Sequence, residues 1–422
     1  ALNLTGYYGL AVGTFALPDS PLLFFWLLTI DRIDLALEKP DRLRLWAGVG
    51  LAWGLAMLSK YHAVFLPAGT VLYLALRPGR RRLLILPGPY LAIALGLIVF
   101  SPVIVWNAGN GWASFAFQGS RAVGGFRLRP DCLLGAIGAQ AAYLFPWIWL
   151  MLMIVGWRLL AGWKDRDDER ERLALCLCAA PLAVFTAVAC TRPVLPHWGL
   201  IGIVPLFPSL GRALADRASA FPAQSRRRLA LASAFSIVIL AMAVTEDRWG
   251  WLQRDAGLLN ARTDPTADGY GWDQVADRLE RLGVLDDPRT FLFTRNWYQS
   301  AQIAHATRLR RPVACYNMGD ARGFAFWSDP ADWVGRDGVM VMIDEDYTPF
   351  GFYDHFFKGH RLLDDFQVTR RGFPLRRVRV FRLNEQVVAV PYQYTREQAR
   401  ERDELRRRLA DFREPAQVGR AP

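Results

Sequence analysis

The sequence predicts a multispanning α-helical membrane protein of about nine spans followed by a soluble α/β domain. Three observations carry this. Hydrophobic residues make up 52% of the 422-residue chain and charged residues only 21%, with a mean hydropathy of +0.12; that is too apolar for a water-soluble chain of this size. The apolar residues concentrate before residue 246, in blocks free of any charge. The rest of the chain mixes charged and apolar residues with short-element periodicity. The excess of 51 Lys+Arg over 39 Asp+Glu gives a net charge of +12, but the charge-free blocks exclude a soluble nucleic-acid binder with one basic face.

The charge-free stretches are 1–18, 20–30, 45–59, 63–76, 83–106, 132–157, 173–190, 198–211 and 229–245. A helix rising 1.5 Å per residue needs about 20 residues to cross about 30 Å of hydrocarbon, and several blocks reach that length with their polar flanks. If all nine cross, the loops 31–44, 77–82, 158–172 and 212–228 lie on one side with 18 Lys/Arg, and the loops 18–19, 60–62, 107–131 and 191–197 lie on the other with 5. Basic loops stay cytoplasmic, which places the second set, and everything after residue 246, outside. The chain starts at Ala1 in an apolar segment with no basic n-region or cleavage site, so it reads as a fragment of a longer protein.

In the second part, 272–283 shows helical spacing, 289–294 reads as a strand, 297–307 as a helix, and 312–316 and 338–344 as further strands. The alternating 378–383 reads as an edge strand with one wet face. These observations divide the chain into a membrane region 1–245, an α/β domain 246–394 and a charged helical or disordered tail 395–422. Five cysteines, Cys132, Cys176, Cys178, Cys190 and Cys315, are an odd number partly inside an apolar run; they read as small core residues and not as a disulfide framework or zinc site.

Ionisable residues embedded in apolar sequence are the candidates for chemistry. Asp19, in Leu17-Pro18-Asp19-Ser20-Pro21, is the only acid among the first thirty residues; it reads as a functional carboxylate, as the N-cap of the helix beginning at Pro21, or as both at once. Lys60 and His62 sit at the turn of the 45–76 hairpin, where they can neutralise a lipid-linked phosphate, or where Lys60 simply snorkels to the interface. The segment from Trp106 through Asn107 and Trp112 to Gln118 and Arg121 combines tryptophans, amides and an arginine, as a sugar platform with a phosphate contact would; interfacial anchoring is the other reading. Arg192 and His197 on the last outer loop serve the same site or hydrate a tight turn. The acidic run Asp344-Glu345-Asp346 reads as a solvated loop more than a cation site. No Walker, HExxH, GxSxG or GxGxxG motif occurs, so nucleotide hydrolysis, zinc proteolysis and Rossmann chemistry have no support.

The Leu-Pro-Asp-Ser-Pro-Leu turn, the Gly-Leu-Ala-Met-Leu-Ser-Lys-Tyr hairpin (54–61), the Trp-Asn…Trp-Ala-Ser-Phe segment and a C-terminal α/β domain together resemble the bacterial family 39 glycosyltransferases, which include the protein O-mannosyltransferases and lipid A aminoarabinose transferases. The resemblance implies an integral enzyme of the bacterial cytoplasmic membrane. Such an enzyme moves a sugar, with inversion, from a polyprenyl-phosphate donor to an extracytoplasmic acceptor: a protein, a lipid or a cell-envelope glycan. It further implies that spans and the acidic catalytic residue precede residue 1, so the chain is expected to lack its base and to be inactive alone. Asp19 matches the family's Pro-Asp turn and Lys60 its Ser/Thr-Lys turn, whereas His62, Asn107, Gln118, Arg121, Arg192 and His197 come near the site by topology only. Basic side chains or a divalent metal ion would stabilise the leaving phosphate. The implied partners are the lipid-linked sugar, membrane lipid and the acceptor, with no nucleic acid. A transporter or lipid-linked-sugar flippase is the alternative; against it the sequence shows no acid–base pair inside one span.

Overall fold

The structure is a computed structural model that describes residues 5–12, 17–122, 127–163, 168–258, 264, 266–343 and 350–392. The acidic run at 344–346 and the charged tail from 395 lie outside these residues. The chain divides into two compact units, residues 1–109 with 118–240 and residues 110–117 with 241–422.

The first unit is helical. Three helices among the described residues are long and apolar enough to cross a membrane: Pro87–Gly109, Glu169–Ala189 and Pro222–Trp249, the last running on into the second unit. Leu43–Ser59 and Tyr61–Leu76 are shorter apolar helices. The count of nine is therefore not reached, and proline explains two of the losses. The block 132–157 is two helices, Pro130–Leu144 and Pro146–Ala161, bent by 108°. Pro146 bars its predecessor from helical backbone, and Phe145 turns at φ 65, ψ 135. The block 198–211 is interrupted around Pro205 and Pro208, which lack the backbone N–H of a continuing helix, into Pro196–Leu200, a 3₁₀ turn Val204–Leu206 and Phe207–Ala220.

Helix Leu43–Ser59 packs on Pro87–Gly109 through small residues. A Cβ at Gly50 would lie 2.5 Å from the Ala92 carbonyl, and one at Gly54 2.6 Å from Val99 Cβ. In return Trp46 and Trp53 lie over Gly88 and Gly96, where a Cβ would come within 2.2 and 2.1 Å of the indole rings. This is the small-xxx-small contact of membrane helices, which lets backbones approach where water supplies no driving force. It fixes the helix whose C-cap is Lys60.

The second unit carries a five-stranded sheet, order β2-β1-β3-β5-β4, from β1 (Thr290–Thr294), β2 (Val313–Cys315), β3 (Asp337–Ile343), β4 (Phe357–Arg370) and β5 (Phe373–Gln386). β1 pairs parallel with β2 and β3, while β3–β5 and β4–β5 are antiparallel. Period-two alternation sorts two cores. Leu292, Val339, Val341 and Ile343 meet Val275, Leu279 and Ile303 of helices Trp272–Arg281 and Trp297–Ala306, whereas Phe291, Phe293, Met340 and Met342 meet Tyr316, Trp333 and Phe357. Central strands covered on both faces read as continuous apolar runs, which is why β1 and β3 were legible.

One strand reading is corrected. The segment 378–383 is not at an edge, because β5 is paired on both sides and the edges are β2 and β4. β4 went unseen because its sequence is polar. It is held by hydrogen bonds to β5 and by pairs such as Arg377–Asp365 at 2.5 and 2.7 Å. The hairpin turn uses Arg371 (φ 50) and Gly372 (φ 83), the two left-handed positions of a type I′ turn. All five cysteines are free.

Candidate active site

Helix Asp19–Glu38 has Pro18, which makes no side-chain cap bond, at its N-cap position, and Asp19 lies in the first turn. The capping alternative therefore fails, and the carboxylate is turned to another use. Both Asp19 carboxylate oxygens accept from Lys60 Nζ, each at 2.9 Å. The two side chains are 10% and 18% exposed, so the pair lies largely out of water. Lys60 reaches it because the Leu43–Ser59 helix ends at Ser59, where Lys60 adopts extended backbone (φ −163, ψ 137) before the Tyr61–Val64 turn. Snorkelling would have left the ammonium in water.

Four of the residues singled out in the sequence converge. The charges of Lys60 and Asp19 act on both His62 and His197. The His62 ring stacks on Phe185 at 5.0 Å and meets Trp198 edge-on at 6.4 Å, and its buried Nε2 has no hydrogen-bond partner among the described residues. The Tyr7 hydroxyl hydrogen-bonds Asp19, while its ring stacks on His197 at 5.5 Å and on Tyr143 at 5.4 Å. Tyr7 and Tyr143 were missed by sequence reasoning. A tyrosine in an apolar run looks like any core or interfacial aromatic, and no local signal sets these two apart.

The other candidates are placed less tellingly. Asn107 is buried near the end of Pro87–Gly109, its amide donating to the Val103 carbonyl at 2.9 Å. Gln118 is exposed on helix Ala113–Ala122, and the Arg121 side chain lies outside the described residues. Arg192 is half-buried just past Glu169–Ala189 and donates its backbone N–H to the Val188 carbonyl. Among the described residues no group of three or more His, Cys, Asp or Glu is placed to hold a metal ion.

No acid–base pair lies within one of the predicted spans, but the fold makes such pairs between segments. Asp19 and Lys60 form one across 41 residues. Glu169 forms another with Arg77, and it also accepts from the Tyr73 hydroxyl. Pairing between spans is invisible to a search within each span.

The family model of dolichyl-phosphate-mannose-protein mannosyltransferase matches residues 1–106 of the 422. The matched stretch contains Asp19, Lys60 and His62. No curated protein and no solved structure matches the chain. Over residues 1–106 the chain is similar to that family, and the apolar helices suggest a membrane protein.

Proposed function

We propose that this protein transfers a sugar from a polyprenyl-phosphate donor to an extracytoplasmic acceptor, with Lys60 as the contact for the donor phosphate. The observation that carries the reading is the largely buried Lys60 ammonium, held by Asp19 at the mouth of an apolar hairpin within the family-matched segment. An ammonium has three donors. Asp19 takes bonds from it through both oxygens and so holds it in one place, and an arriving phosphate shares its remaining capacity. Placing a fixed positive charge where the leaving group gains negative charge is the largest single device in transfer chemistry.

The reaction is a displacement with inversion. A base removes the proton of the acceptor hydroxyl or amine, the acceptor oxygen or nitrogen bonds to the anomeric carbon, and the carbon–oxygen bond to the phosphate breaks with its electron pair leaving on polyprenyl phosphate. Lys60 holds that phosphate. The unpartnered Nε2 of His62 faces the same charges and supplies a further hydrogen bond to phosphate or sugar, and Tyr7, Tyr143 and His197 supply ring faces for the sugar. Arg121 and Arg192 are further phosphate contacts in this reading, with Asn107 and Gln118 as hydroxyl partners. If the apolar blocks alternate across the membrane as the sequence predicts, the loop asymmetry of 18 Lys/Arg against 5 puts the site, and residues 246–394, outside the cytoplasmic membrane.

A small apolar cavity of about 60 Å³ adjoins the Leu43–Ser59 helix. It is lined by Trp46, Trp53, Leu66, Thr70, Leu84 and Ala92 among others. Trp53 and Trp46 lie seven and fourteen residues before Lys60, about 10 and 20 Å down the same helix. The tail of a lipid whose phosphate meets Lys60 therefore has apolar side chains below it. The test is transfer from a polyprenyl-phosphate sugar in membranes from cells expressing the complete coding sequence with Lys60→Ala. A rate lower by about one to two orders of magnitude is expected for losing a charge-assisted bond of about 1.5–3 kcal/mol. Unchanged transfer returns Lys60 to a structural role. The Asp19–Lys60 pair also suits a transporter; that reading wins if Lys60→Ala alters uptake of a lipid-linked sugar while no sugar is transferred by the wild type.

A further inference from the structure

The second unit carries an aromatic and polar face that its core does not explain. β1 ends at Thr294 and is followed by Arg295, Asn296 and the Trp297–Ala306 helix; β2 ends at Cys315 and is followed by a loop through Asn317 and Asp320. With the order β2-β1-β3, the chain leaves β1 toward one side for β2 and returns to its other side for β3. In open α/β sheets the space outside the carboxyl ends of the strands, at such a reversal, is where ligands bind.

Arg322 is built into this edge. Its guanidinium lies 4.9 Å over the Trp297 ring and 4.8 Å over Phe117, which the 110–117 segment supplies to the same unit. Asp320 grips it from the side, with Nε to Oδ1 at 2.5 Å. The Asn317 side-chain oxygen accepts the N–H groups of Gly319 and Asp320, fixing the loop. Arg322 itself sits at φ 52, a left-handed conformation that a non-glycine residue holds only when its surroundings compel it. Around this fixed arginine, Trp297 and Tyr298 are more than a third exposed, and Trp327, packed on Phe324 at 4.7 Å, is 73% exposed. Large rings left in water beside a fixed donor–acceptor pair are costly unless something covers them.

We propose that this face is a carbohydrate-binding platform, with Trp327, Trp297 and Tyr298 offering ring surfaces to the apolar faces of a sugar and Arg322 and Asp320 exchanging hydrogen bonds with its hydroxyls. Rings joined to polar handles suit a ligand that is apolar on one face and wet at its edges. The rim favours sugar over bilayer. The Arg322 charge is cancelled by Asp320, and the exposed carboxylates Asp329 and Asp332 follow Trp327 in sequence and offset the exposed Arg295, so the rim offers an anionic headgroup layer no net positive charge. Only the origin of the sugar depends on the transfer reaction proposed above: given that reaction, the platform holds the glycan of the acceptor.

The test uses the whole chain in phosphatidylcholine nanodiscs, free of sugar-headed detergent, with mannotriose, chitotriose and maltotriose as probes and saturation-transfer NMR as the readout. At least one trisaccharide is expected to bind at millimolar concentration. Trp327→Ala, which removes only an exposed ring, and Arg322→Lys, which keeps the charge but loses the planar stack, should each weaken it by about tenfold. Silence with all three sugars overturns the proposal, as does equal binding by both variants. So does quenching of Trp327 emission by brominated lipid, because that seats the face on the membrane. Binding is read without turnover, so a fully active Lys60→Ala protein would refute the donor contact and leave the platform standing.

Discussion

Removing one partner of the Asp19–Lys60 pair separates its structural from its chemical role. At 2.9 Å and an effective dielectric of about 20, the attraction is about 6 kcal/mol, most of which offsets the cost of taking two charges out of water. Truncating one partner strands the other, a penalty of about 3–5 kcal/mol for a fully buried pair. With the side chains 10% and 18% exposed, the lower figure applies. Asp19→Asn and Lys60→Met should thus each cost about 3 kcal/mol, a Tm lower by about 6–12 °C at about 2–4 °C per kcal/mol for a unit of this size. The double variant strands no charge, and it should cost only about 1 kcal/mol, giving a coupling energy of about 5 kcal/mol. The assay is monodispersity after heating in detergent, paired with sugar transfer in membranes. Transfer should stay low in both Lys60→Met and the double variant although the latter has regained stability. Additive Tm shifts would mean that the pair does not form. Recovery of transfer together with stability would mean that Lys60 only holds the fold.

Three further outcomes are expected. Gly96→Ala should lower the Tm through about 1–3 kcal/mol of overpacking, because its Cβ would meet the Trp53 ring at 2.1 Å; Gly138→Ala, with nothing within 4 Å, is the control and should be neutral or slightly stabilising. An alkaline phosphatase fusion after Arg248 should be active and one after Arg81 inactive, and the reverse would refute the outward second unit. Acid should weaken the second unit through Arg382, which bonds Asp337 at 2.6 Å and Asp287 at 2.7 Å. The Arg289 backbone N–H and then Arg382 hold the Asp287 carboxyl below its usual range. At Asp337 burial works the other way and is outweighed by the Glu385 N–H and Arg382. A depressed carboxylate contributes stability that is present above its unfolded pKa, about 4, and lost as pH falls through its folded value. Hydrogen exchange in β3 and β5 should accelerate below about pH 4, and Arg382→Met should weaken that dependence while the backbone N–H contributions remain; an unchanged profile would show that Arg382 carries no such stability.

The sequence alone determined what depends on composition and local period. Charge-free blocks mark a membrane region because each apolar residue adds its own transfer free energy. β1 and β3 were readable because burial on both faces demands unbroken apolar runs. Asp19 and Lys60 stood out because an ionisable group in such a run is costly to keep. The tertiary structure decided everything that rests on residues meeting across the chain. Phe145 at φ 65 ahead of Pro146 splits an apolar block that composition counts as one span. β4, polar along most of its length, is a strand because β5 offers it hydrogen bonds and opposite charges, neither of which its own sequence displays. Asp19 looked as much like a helix cap as a functional carboxylate until Lys60, 41 residues away, took both its oxygens. The Phe117–Arg322–Trp297 stack joins segments about two hundred residues apart in sequence. Local propensity is additive along the chain and survives in the sequence, whereas a contact exists only once loop closure has been met by burial elsewhere, and no single segment records that balance.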